Sequence, residues 1–267
     1  MMLKLLSYNI RKGGGGREMQ ISAVIRSCEP DLVILQEATE PAVVERLAAE
    51  TDMTSWGARH GYSLGFLSRI EVREHHWRNL PELRRPLLEV DLGEATIFGV
   101  HLSAVHSNWT ERRRIRELRA LLASIETHRD KFHVLTGDFN TLAPGELLDL
   151  NRLPLRLRIA AWATGGRVRY KTIQMMIDAG YIDGYRSLSS DPGFTFPTWD
   201  PHVRLDFLFL PGAYRNCVDA CEVVFDAPLV HEASDHFPLF SKIKINKQGS
   251  LVQKGPEISG PSEFIAY

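Results

Sequence analysis

The stretch Phe132-His133-Val134-Leu135-Thr136-Gly137-Asp138-Phe139-Asn140-Thr141 decides how this chain is read. Its first half carries the large, β-branched or aromatic side chains that favour a pleated, buried strand. The pattern breaks at Gly137, which suits a tight bend where backbone must come close to something else. Asp138 and Asn140 follow, two residues apart. In extended geometry that spacing sets both side chains on one side of the chain. Both would then project from the C-terminal end of a strand, where sheets of alternating strands and helices usually place their chemistry. Asp and Asn also cap strand ends by bonding nearby backbone, and the stretch taken alone favours such an Asx-turn.

Working outward, other expected strands end on the same kind of residue. Leu3 to Ile10 alternates like a strand and carries Asn9 near its end. Leu32 to Leu35 is an apolar run typical of a sheet covered on both faces, and Glu37 stands just past it. Ala95 to Val100 leads into His101. Arg204 to Leu210 holds Asp206, and Asp235-His236 precedes a last strand, Leu239 to Ile245. Helical periods lie between, at Met19 to Ser27, Pro41 to Ala49, and Thr172 to Ala179, the last closed by Gly180. Another helix begins at Asn108. Asn108 and Glu111 have capping-box spacing, and Ile115, Leu118, Leu122 and Ile125 form its apolar stripe. Arg112, Arg113, Arg114, Arg116 and Arg119 decorate it as a solvated basic face. From Ser63 to Val100 strand follows strand, interrupted at Arg84-Arg85-Pro86 and Leu92-Gly93, which implies an antiparallel or mixed sheet. The run Gly13 to Gly16 reads as a loop; no Lys-Ser/Thr follows it, so it is not a Walker A motif.

With 267 residues, 44% hydrophobic and 24% charged, the chain has the balance of an ordinary globular protein. A net charge of −1 gives no global attraction to nucleic acid or acidic membrane, so such a partner needs a local basic patch. Cys28, Cys217 and Cys221 make neither a disulfide framework nor a zinc spacing, consistent with a reducing compartment. No apolar run approaches the roughly 18 residues of a membrane span. The expectation is a cytoplasmic monomer with one domain over residues 1–245 and a loose, polar tail over 246–267.

Six local motifs occur in a fixed order: Ser7-Tyr8-Asn9-Ile10, Leu35-Gln36-Glu37, Val100-His101-Leu102, Thr136-Gly137-Asp138-Phe139-Asn140, Arg204-Leu205-Asp206-Phe207 and Ser234-Asp235-His236-Phe237-Pro238. Together they make the chain resemble the endonuclease/exonuclease/phosphatase superfamily of DNase I-like nucleases, exonuclease III-like enzymes and neutral sphingomyelinases. The resemblance runs from Leu3 to about Ile243. It implies an α/β four-layer sandwich, two packed mixed β-sheets flanked by helices. It also implies a phosphodiesterase dependent on Mg²⁺ or Mn²⁺, whose hard character suits carboxylate and amide oxygens. On that resemblance Glu37 is the principal metal ligand, with Asn9 and Asp235 beside it. Asp138 would orient or deprotonate the attacking water and Asn140 would bond a phosphate oxygen. His236, oriented by Asp206, would meet phosphate as a cation or move a proton, and His101 would protonate the leaving group. The sequence His231-Glu232-Ala233-Ser234-Asp235 only begins like a zinc-protease helix and ends on Asp.

Substrate identity stays open between a nucleic acid and a phospholipid head group. A phosphomonoesterase for an inositol- or sugar-phosphate and a non-catalytic nucleic-acid or membrane binding module are the alternatives. The stretch Arg152 to Lys171, basic and interleaved with Leu and Trp162, bears on the choice. Arg152, Arg156 and Arg158 with Trp162 would make a nucleic-acid arm, or a peripheral membrane contact, or a surface excursion packed on the core. Thr195-Phe196-Pro197-Thr198-Trp199-Asp200-Pro201 reads as a rigid aromatic loop.

Overall fold

The chain, in a computed structural model, is described over residues 1–104, 108–146, 152 and 170–245. Its elements run β1 (Met2–Asn9), α1 (Glu18–Cys28), β2 (Leu32–Gln36), α2 (Pro41–Glu50), β3 (Ser55–Gly57), β4 (Leu64–Ser68), β5 (Glu74–Arg78), β6 (Leu87–Asp91) and β7 (Thr96–His101). Then come α3 (Asn108–Ser124), β8 (His133–Asp138), α4 (Lys171–Asp178), β9 (Tyr181–Asp183), β10 (Asp206–Pro211), β11 (Val218–Val223), α5 (Val230–Ala233) and β12 (Leu239–Lys244).

Two six-stranded sheets result, ordered β11-β12-β1-β2-β4-β3 and β5-β6-β7-β8-β10-β9. Each is antiparallel except for one parallel pair at its centre, β1 with β2 in the first and β7 with β8 in the second. The sheets face each other through those central pairs, β1 and β2 meeting β7 and β8. Gly99 shows how closely: a Cβ there would lie 2.8 Å from Ile34 Cγ2 of the opposite sheet. Helices α1 and α2 cover the first sheet, while α3 and α4 pack together over the second. The fold is therefore the expected α/β sandwich of two mixed sheets flanked by helices. A strand covered on both faces needs apolar side chains in both directions, which is why β2 reads as an unbroken apolar run.

Gly137 has the role its position suggests. Its φ is +142°, and a Cβ on it would sit 2.0 Å from Val100 O on the parallel neighbour. The glycine run after β1 differs from a slack loop: residues Lys12–Gly14 wind into a 3₁₀ turn with Gly13 and Gly14 buried. Positive φ at both, +76° and +74°, is what glycine supplies there.

Helix α3 departs from its expected pattern in two ways. The Glu111 carboxylate is buried and reaches beyond its own helix, taking the backbone N–H and hydroxyl of Thr172 at the start of α4, at 2.9 and 3.0 Å. Arg114, expected on the solvated face, is 2% exposed and donates to the same carboxylate at 2.9 Å and to Ser103 O. The helical wheel puts position 114 on the line of Leu118, Leu121 and Ile125, so burial follows once a carboxylate is there to receive the charge. Arg112, Arg113, Arg116 and Arg119 are exposed as expected. Of the basic stretch, Arg152 and Lys171 are described; Arg156, Arg158 and Trp162, like the tail 246–267, lie outside the described residues.

Candidate active site

The two central parallel pairs point their C-terminal ends to one edge of the sandwich. Asn9 closes β1, Glu37 follows β2, His101 closes β7 and Asp138 closes β8. Antiparallel neighbours begin at that edge. Asp206, the first residue of β10, lies in register with Asp138, and Asp138 in turn with His101, so three ionisable groups form a row across the second sheet. Asp235 and His236 lie in the turn that enters β12 beside β1. Strand ends here carry side chains that no neighbouring strand needs, which frees them for chemistry.

Asp138 is the hub. Its Oδ2 lies 3.2 Å from Asn9 Nδ2, 3.7 Å from His101 Nε2 and 4.0 Å from His236 Nε2. Its Oδ1 accepts the Asn140 N–H at 2.8 Å, so the Asx-turn and the convergent site are one structure. Asn140 is not carried by extended backbone, as the two-residue spacing suggested. Its φ is +52°, and the turn directs Nδ2 to Leu102 O at 3.2 Å. Asn9 Nδ2 also faces Glu37 Oε1 at 3.5 Å. Glu37 is half-buried with φ +58°, and the glycine turn wraps it: Lys12 N–H donates to Oε2 at 2.6 Å and Gly13 N–H to its carbonyl at 2.9 Å. His236 is held by Asp206, whose Oδ2 lies 2.8 Å from Nδ1, while Phe196 packs on the imidazole at 4.8 Å between ring centroids. Sequence position thus brings together Asn9, Glu37, His101, Asp138, Asn140, Asp206 and His236. Asp235 joins them through Arg11, whose Nε is 3.4 Å from its Oδ2 and whose N–H donates to Asn9 Oδ1.

Electrostatics separates the titratable groups. Burial raises the Asp138 carboxyl, to about 7, and the Asp206 charge adds to it against the opposing effect of His236. His236 goes the other way. Burial alone would lower it, but the charge and hydrogen bond of Asp206, with Asp138 and Asp235 beyond, hold it up at about 9. His101 lies well below the ordinary histidine value because it is buried and faces the cations Arg85 and His236. Its Nδ1 meets Ser63 Oγ at 2.6 Å, and Ser63 Oγ also receives the Glu37 N–H at 3.3 Å. At neutral pH one imidazole is charged and the other neutral, 4.0 and 3.7 Å from one carboxylate oxygen.

Several neighbours went unread in the sequence. Arg85 donates to Leu102 O at 2.9 Å, and its charge acts on Asp138 and Glu37. It lies in an aperiodic loop between β5 and β6, and only the tertiary fold takes it to the site. Arg11 directly follows the motif Ser7-Tyr8-Asn9-Ile10, and Ser63 precedes β4; adjacency to a motif was the one available signal for Arg11. Arg152 does not enter the constellation but pairs with Asp200.

Glu37, Asn9 and Asp235 offer oxygen donors only, which suits a hard divalent cation. No group of three or more His, Cys, Asp or Glu side chains gathers into a metal cage among the described residues. Asn9 currently turns Nδ2 to the carboxylates and Oδ1 to Arg11, so ligation by its oxygen requires the amide to rotate.

No curated protein sequence matches the chain. Solved structures do. An AP endonuclease from Archaeoglobus fulgidus superposes with a TM-score of 0.68 at 16% identity, covering 91% of this chain and 100% of that one. The 3' phosphatase NExo from Neisseria, bound to a product DNA hairpin, gives 0.66 at 16% identity over 91% and 99%. D. rerio TDP2, complexed with single-strand DNA product, gives 0.63 at 19% identity over 91% and 99%. These likenesses share the fold, and the sequence itself matches one family over residues 6–236, from β1 through His236. The chain belongs to the Endonuclease/Exonuclease/phosphatase family.

Proposed function

We propose that the chain is a phosphodiesterase dependent on Mg²⁺ or Mn²⁺, cleaving a nucleic acid or phospholipid head group by in-line attack of water. The observation that carries this reading is the convergence on Asp138 Oδ2 of Asn9, His101 and His236, with Glu37 beside Asn9. Glu37, with Asn9 and Asp235, would hold the divalent cation, which neutralises charge developing on the phosphate. Asp138 orients the attacking water and takes its proton, and a carboxyl raised toward neutrality is matched to that task. Asn140 bonds a non-bridging oxygen through its amide. His236, fixed by Asp206, presents a positive charge to the phosphate and is the proton source for the leaving oxygen. His101, kept neutral, is better suited to donate a hydrogen bond than to release a proton, so the leaving-group step falls to His236 rather than to it. Arg85 and Arg11 add cationic charge at the same edge.

Family membership supports hydrolysis of a phosphoester, and the DNA products in the NExo and TDP2 structures support a nucleic acid. Hydrolysis of bis(4-nitrophenyl) phosphate with Mg²⁺ or Mn²⁺, with and without chelator, tests the reading. Chelator-sensitive turnover that disappears in Asp138→Asn is expected. Absence of turnover on any diester or monoester would sink it.

A further inference from the structure

Trp199 is 68% exposed, although indole is among the most buried side chains on average. Its loop is tied down on both sides. Thr198 N–H donates to Asp235 O at 3.0 Å and its hydroxyl to Ser234 O at 2.9 Å. Asp200 N–H returns to Pro197 O at 3.1 Å, and Phe196 bridges Val203 as an isolated β-pair. A ring so held costs little further entropy when something stacks on it. It is also aimed from the site. Trp199 meets Phe196 edge to face at 6.3 Å, and Phe196 packs on His236 at 4.8 Å, so the exposed indole stands two ring contacts from the charged imidazole.

We propose that Trp199 is a stacking platform for a nucleobase of the substrate, next to the phosphate bound at His236. The inference rests on the phosphodiesterase reading above and narrows it to nucleic acid. A nucleobase presents a flat π-face of the right kind whatever its sequence, and stacking on an aromatic side chain is a recurring, sequence-tolerant contact. The surroundings argue against lipid. Asp200 and the Arg152 paired with it, both partly exposed, make a polar rim, which insertion into acyl chains would have to dehydrate. A stacked base with its phosphate still in water asks for no such desolvation.

The test compares oligothymidylate with a strand of equal length built from abasic tetrahydrofuran nucleotides, which keep the phosphodiester and lack the base. For Trp199→Ala, kcat/KM on oligothymidylate should fall roughly tenfold to a hundredfold, mostly through KM. The abasic strand should be cut at the wild-type rate by both proteins, and Trp199→Phe should recover most of the loss. Equal losses on both strands, or none on either, would overturn the proposal, as would failure of Phe to rescue. Wild-type protein that cleaves bis(4-nitrophenyl) phosphate with metal but neither strand overturns the stacking contact and leaves the phosphodiesterase standing. Silence on all three substrates removes both.

Discussion

Asp138 carries two kinds of strain at once: it is buried among partners and it stands opposite another carboxylate, Asp206, in the sheet register. Two adjacent carboxylates are tolerable only where a cation separates their effects, and His236 is that cation, bonded to Asp206 and 4.0 Å from Asp138. Asp206 Oδ2 bonds the imidazole, while its other oxygen, Oδ1, is buried with no hydrogen-bond partner among the described residues. Function through one bond makes the two residues a unit. Asp206→Asn and His236→Ala should each lower kcat, and the double variant should be little worse than the more damaging single, because coupled catalytic residues are non-additive. Single-turnover kinetics on one diester across the double-mutant cycle measures this. Losses that multiply in full would show that Asp206 has work of its own apart from His236.

At the scale of elements, most of the site was legible because chemistry here resides on strand ends. Asn9, Glu37, His101 and Asp138 stand where an apolar run stops and Asp206 where one begins, and a polar residue at a strand end is visible without knowing its neighbours. Arg85 was not legible, since its loop has no period and its approach to Asp138 exists only after β6 and β7 pair. Arg114 and Glu111 were misread for a related reason. In a run of arginines nothing marks the one that turns inward, and Glu111 binds α4, sixty residues on, as well as Arg114 of its own helix. That contact has a measurable consequence. The Glu111 carboxyl is pushed up by burial, but Arg114 and the Thr172 groups outweigh this, so its folded pKa lies below the ordinary value. A carboxyl lowered by folding stabilises fully above its unfolded pKa, about 4.3, and that stability is lost as pH falls through the folded value. Glu111→Gln, which leaves Arg114 with a weaker buried acceptor, should cost about 3 kcal/mol at pH 7. The gap from wild type should narrow between pH 5 and pH 3. Urea unfolding at each pH reads both, and a gap independent of pH would mean that Glu111 is held by shape rather than charge.

Across the whole molecule, the pairing of two sheets was expected only from the resemblance; the alternation of strands and helices alone gave mixed α/β with buried strands. The reason is that β11 and β12, the last strands in the chain, complete the first sheet beside β1, a long-range pairing with no local signal. The same closure assembles the site from both sheets, with Asn9 and Glu37 on the first and His101, Asp138 and Asp206 on the second. A cation held by Glu37 and Asn9, as proposed above, would draw its ligands from the ends of both β1 and β2. Such a cation would bind the folded arrangement and have no counterpart in the unfolded chain, so it would stabilise by mass action. At a Mg²⁺ concentration about a hundred times its Kd the gain is about 2.7 kcal/mol. For a chain of this size that corresponds to a rise in thermal midpoint of about 5 °C, reversed by chelator. Glu37→Gln keeps the bond from Lys12 N–H and the size of the side chain but removes the charge, so its midpoint should no longer respond to Mg²⁺. Trp199→Ala, outside the oxygen set, should respond as wild type does. Calorimetric scans of the three proteins over a Mg²⁺ series decide the matter: an unresponsive wild type, or a Glu37→Gln variant that follows it, would take the metal away from Glu37.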